Sequence, residues 1–178
     1  MSELRVIVDH LRLNYSGPFN ANDLFKHITA FLNERGFDLK IDKEFEHNTK
    51  SGKQIEWQVN PWKRLTDYIR FWVKVRVLIS DYNKVDAIVD NKKVNISHGK
   101  LVMYIDAYME LDESNRWEAY PFFQFLRSLY NIFFYKMYTE RFEHRLNQDV
   151  YHLYHTVEQF FNIYRSYKVV SRPQLMRP

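Results

Sequence analysis

Between residues 37 and 111 the apolar side chains recur at every second position, whereas beyond Asp112 they recur at the helical spacing of about 3.6 residues until about Tyr167. That change of period is the strongest constraint on what the chain can fold into. Leu39/Ile41, Ile55/Trp57/Val59, Phe71/Val73/Val75/Val77/Ile79 and Leu101/Met103/Ile105/Ala107/Met109 each put an apolar stripe on one side of an extended segment. The joining segments Lys50-Ser51-Gly52, Asp81-Tyr82-Asn83-Lys84, Asp90-Asn91-Lys92-Lys93 and Ser97-His98-Gly99-Lys100 are short and rich in turn formers. They predict hairpins between sequential antiparallel strands and leave no room for crossover helices.

Upstream, Leu4, Val6 and Val8 alternate with Arg5, Ile7 and Asp9, and the phase changes near His10 before Leu11 and Leu13 resume the pattern. This predicts a strand over 4–14 with a bulge at His10. Asn20 suits a helix cap, Leu24, Phe25, Ile28, Phe31 and Leu32 share a face, and Gly36 stands where a left-handed C-terminal residue is wanted, so a helix is expected over about 21–35. Downstream, Phe122, Phe125, Leu126, Leu129, Ile132, Phe133 and Met137 form one helical face. Val150, Leu153, Tyr154, Val157, Phe160, Phe161 and Tyr164 form another, turned by about 120°, which predicts two helices with a break or strong bend near Asn147. The expected architecture is a single α+β domain over 1–178: a strand-rich part over 4–111, a helical part over 116–167 and a short basic tail over 168–178. Its antiparallel meander sheet packs on a long C-terminal helix, with one N-terminal helix and an extra terminal helix.

This order of strand, helix, meander and long helix resembles the helix-grip fold of START-like and pollen-allergen-like proteins over about residues 4–146. An early Gly-rich loop is missing, and the helix after Asn147 is extra. The resemblance implies a cavity between the curved sheet and the long helix that receives apolar ligands, and it carries over no functional residue.

Composition narrows the function. The 178 residues suit one domain, and an aromatic content of 17% excludes disordered, low-complexity classes. The absence of cysteine removes disulfides, thiolate metal sites and thiol nucleophiles. The four glycines, Gly17, Gly36, Gly52 and Gly99, lie too far apart to build a nucleotide-binding loop. No hydrolase elbow, zinc-protease run or calcium loop is present. The first fifteen residues are charged throughout, and Gln124, Arg127, Asn131 and Lys136 interrupt the apolar run Phe122–Tyr138, so neither export nor a membrane span is expected and the location is expected to be cytoplasmic. A net charge of +4 permits an anionic partner without requiring one.

Three constellations bear on chemistry. Glu140 and His144, four residues apart, would be a proton-transfer pair in a dry cavity, against the plainer expectation of a solvated turn. His152 and His155, with His144, Gln148 and Gln159 along one stripe, could begin a metal site, but without a diagnostic third ligand they read as a wet helical face. Arg70, Trp72, Lys74 and Arg76 alternate with Phe71, Val73, Val75 and Val77, giving one strand face the cations and the indole that RNA contact needs. Together these readings predict a non-catalytic cytosolic binding domain, without cofactor or metal. Its ligand, an apolar or aromatic small molecule, would sit between sheet and C-terminal helix against Phe71, Val73, Val75, Met103, Ile105, Phe122, Phe125, Leu129 and Phe133. The alternative is an RNA- or ribonucleoprotein-associated module using Arg70, Trp72, Lys74 and Arg76.

Overall fold

The computed structural model describes residues 3–49, 52–66, 68–89, 92–111, 136–165 and 168–169. Strand β1 (Glu3–Pro18) leads into helix α1 (Ala21–Glu34), followed by β2 (Ile41–Thr49), β3 (Gly52–Val59), β4 (Trp62–Arg64), β5 (Ile69–Val89), β6 (Lys92–Leu111), helix α2 (Lys136–Tyr164) and β7 (Lys168–Val169). The fold is α+β, as the change of period predicts. The strands form one antiparallel sheet in the order β1-β6-β5-β3-β2, with β4 and β7 added to β5. Sequential pairing holds for β2–β3, β4–β5 and β5–β6. It does not hold for β1, which pairs with β6 from Glu3↔Leu111 to Pro18↔His98, so the first strand closes on the last long one.

One face of the sheet carries the core. Ile55, Trp57, Val59, the alternate residues Phe71 to Ile79 and the alternate residues Leu101 to Leu111 are buried there together with Leu24, Ile28 and Leu32 of α1 and Leu146, Val150, Leu153, Val157 and Phe161 of α2. Phe25 stacks on Trp57 with ring centroids 4.7 Å apart, and Phe161 stacks on Tyr15 at 4.1 Å. Helix α1 starts where the Asn20 side chain accepts from Asn22 N–H, and it ends before Gly36, whose φ of 75° a side chain would resist.

Several expectations are corrected. Helix α2 runs through Asn147 without interruption from Lys136 to Tyr164. Phe142, Leu146, Val150, Leu153, Val157 and Phe161 already make one continuous stripe, so no break is needed within it. The upstream face Phe122–Phe133 lies outside the described residues. The segments 81–84 and 97–100 are not turns. They lie inside the long β5–β6 hairpin, at a register shift between Ser80 and Asn83, where Asp81 takes a φ of 54°. Gly99 fits there because a Cβ would stand 3.1 Å from the Tyr82 ring and 3.2 Å from Ser80 O. The bulge expected near His10 is present, as the register shift between Val8 and Leu11 with His10 at a φ of 51°, and a second, unexpected shift lies between Val6 and Val8. This second shift reverses the expected inward face of Leu4 and Val6, leaving them 59% and 58% exposed opposite Glu110 and Tyr108. Ile41, expected in an apolar stripe, is exposed on the edge strand β2.

Candidate functional site

Because Phe71, Val73, Val75 and Val77 point into the core, Arg70, Trp72, Lys74 and Arg76 point to the opposite, outer face. Their register partners Glu110, Tyr108, Asp106 and Tyr104 on β6 do the same, and Leu4 and Val6 of β1 complete the row. At one end of this face, β3 gives way to β4 along the edge of β5, and Val73 N–H donates to Pro61 O across the corner. There Leu4, Asn60, Trp72, Val73, Lys74, Tyr108 and Glu110 bound a groove of about 370 Å³.

The groove's aromatic wall is fixed in place. Trp72 Nε1–H donates to Glu110 Oε2 at 2.8 Å, its ring lies 6.3 Å from that of Trp62, and the Arg70 guanidinium sits 5.0 Å from the Trp62 centroid and 5.6 Å from that of Trp72. Asn60 supplies an unused acceptor. Its Nδ2 must face Asp42, since a carboxylate only accepts, which leaves Oδ1 shielded from water with no hydrogen-bond partner among the described residues. A buried carbonyl in that condition costs about 1–3 kcal/mol unless a donor reaches it.

Charges on this face are largely matched. Arg76 pairs with Glu56 at 3.3 Å, Lys43 donates to the same carboxylate at 2.8 Å, and Lys74 stands opposite Asp106 in the register. Beside the groove, the shift after Val8 sets Asp9 and His10 of β1 against Asp106 of β6. His10 N–H donates to Asp106 Oδ1 at 2.8 Å, while its Nδ1 lies 2.5 Å from Asp9 Oδ1. The bond to Asp9, and then the charges of Asp106 and Asp9, hold the imidazole above its ordinary value. Burial first, and then the same two carboxylates, push the Tyr108 phenol up.

The other expected site residues fall into separate places. Phe71, Val73, Val75, Met103 and Ile105 are at most 3% exposed, and Phe122, Phe125, Leu129 and Phe133 lie outside the described residues. Among the described residues, a space of about 10 Å³ lies between α1, α2 and Val73. Glu140 and His144 are both exposed at the start of α2, and His144 meets Gln148 at 3.1 Å instead of a cavity. His152 lies 3.2 Å from the Arg35 guanidinium and His155 3.4 Å from Glu158, so the two imidazoles have separate neighbours. Leu4, Asn60, Tyr108, Glu110, Asp9, His10 and Asp106 were not singled out by sequence. The run Tyr104, Asp106, Tyr108, Glu110 between buried positions of β6 was the available signal for part of the set. No family model, curated protein or solved structure matches the chain. Among the described residues, no helix is long and apolar enough to cross a membrane.

Proposed function

We propose that the protein is a non-catalytic, cytosolic binding domain whose ligand is a flat apolar or aromatic molecule carrying a hydrogen-bond donor, bound in the outer groove. The observation that carries this reading is the groove itself: about 370 Å³, walled by Leu4, Trp72 and Tyr108, with the Glu110 carboxylate in its lining as an acceptor. Volume and lining both suit a small-molecule site, in which apolar walls supply affinity and a few polar atoms fix orientation. The exposure of Glu140 and His144 supports a role without proton-transfer catalysis. The order of strand, helix, antiparallel sheet and C-terminal helix is compatible with the helix-grip likeness, which is kept as part of the reading. The nucleic-acid alternative is less well supported, because Arg76 already pairs with Glu56, which takes up one of the cations that would track phosphates.

A ligand-observed NMR screen of aromatic fragments bearing N–H or O–H groups tests the proposal. Hits should weaken by about 0.5–1.5 kcal/mol or more in Trp72→Ala, through loss of the ring contact, and should persist in Arg76→Ala. Fragments that bind Trp72→Ala as tightly as the unmodified protein would rule the groove out. Salt-sensitive binding of single-stranded RNA that is lost on neutralising Arg70, Lys74 and Arg76 together would favour the alternative.

A further inference from the structure

We propose that Asp9, His10 and Asp106 form a binding site for one divalent transition-metal cation at the β1 bulge, beside the groove and independent of its occupant. The three residues each offer one ligand atom, a His ring nitrogen and two carboxylate oxygens, and these atoms all lie within 4.8 Å of one another. Around a tetrahedral zinc ion with bonds of about 2.0–2.2 Å, donor atoms stand roughly 3.4 Å apart. The His10 Nδ1 to Asp106 Oδ1 separation of 3.4 Å matches that spacing, whereas the 2.5 Å between His10 Nδ1 and Asp9 Oδ1 is a hydrogen bond that must open by about an ångström for an ion to enter, and both of those side chains are exposed. Imidazole with carboxylates is a donor set that suits zinc and manganese.

Of the three ligands, Asp106 most needs a positive charge. It is the buried charged residue among those described, at 7% exposure, on a face where its strand neighbours Tyr104 and Tyr108 are half-buried. An ionised carboxylate offers about four acceptor positions, yet among the described residues its partners are the His10 N–H and imidazole alone. A desolvated negative charge with so few donors is costly unless a positive charge neutralises it. Lys74, opposite it on β5, lies on the same face, and its ammonium lowers the affinity of any ion bound there. The His10 N–H holds Asp106 in orientation through the backbone, as an outer-shell donor holds a metal-ligating carboxylate. Asp9 and His10 side chains are 71% exposed, which leaves an entry path and room for water ligands.

The full-length chain, stripped with a chelator and exchanged into metal-free buffer, is titrated with zinc chloride in a calorimeter and with manganese chloride while amide signals are followed by NMR. The expected result is about one equivalent of zinc, weakened at least about tenfold in each of Asp9→Asn, His10→Asn and Asp106→Asn, and unchanged in the double variant His152→Ala/His155→Ala. Manganese should broaden the amides around Asp9 and Asp106 first. Asn at 10 tolerates the left-handed backbone, Asn at 106 still accepts from His10 N–H, and Asp9 is exposed, so these variants retain the fold. The absence of saturable zinc binding would overturn the proposal, as would binding that survives Asp9→Asn and Asp106→Asn but disappears with the α2 histidines.

Discussion

Glu56 lies on β3 between two cations from neighbouring strands, Lys43 of β2 at 2.8 Å and Arg76 of β5 at 3.3 Å. The Lys43 hydrogen bond, reinforced by both positive charges against an opposing desolvation, holds its carboxyl below the ordinary carboxylate value. A folded-state value lowered in this way contributes stability that is present above the unfolded value and is lost as pH falls through the folded one. The difference in thermal midpoint between the unmodified protein and Glu56→Gln should therefore be constant near neutrality and shrink on acidification. Since the site is partly exposed, the effect should stay below about 1 kcal/mol. A difference that grows in acid would contradict the pairing. At this scale the outer face was half legible. Trp72 and Lys74 could be placed because they alternate with Val73 and Val75 in one strand. Asn60, His10 and Asp106 could not, because their significance depends on a strand corner and on a pairing across about a hundred residues.

The elements were more legible than their junctions. Helix α1 has a cap, an apolar face and a terminal glycine, three local signals that agree, and it forms within a residue of the expected boundaries. The segments 81–84 and 97–100 were misread because Asp, Asn, Ser and Gly serve a bulge with positive φ as readily as a reversing turn. The break expected at Asn147 failed for a different reason: a phase change between two apolar sets does not say where along the chain it falls. The alternating stripe on β5 was read correctly, and it yields a sharp test. Val75 is fully buried between Val59 and Ile105, so Val75→Asp places a carboxylate among hydrocarbon with no counter-charge. The expected loss exceeds about 4 kcal/mol, enough to abolish a cooperative thermal transition in a domain of ordinary stability. An unchanged melting curve would refute the register.

For the molecule as a whole, the decisive feature is the union of β1 with β6, since it turns a series of local hairpins into a sheet whose first strand must find a partner near residue 111. Topologies dominated by such distant contacts fold slowly, typically in milliseconds to seconds. Stopped-flow refolding should show a main phase in that range, and a microsecond phase carrying the full amplitude would argue against the pairing. The sequence supported the antiparallel class because its periodicity is local, whereas the closure was illegible because nothing near β1 names its partner. The same closure has a cost during synthesis. At roughly 5–20 residues per second, a ribosome needs on the order of 5–20 s to deliver β6 after β1, and longer to deliver α2. Throughout that interval Val8, Leu13 and Tyr15 have neither the neighbouring strand nor the helix that covers them in the finished protein, and their apolar surface stays open to other chains.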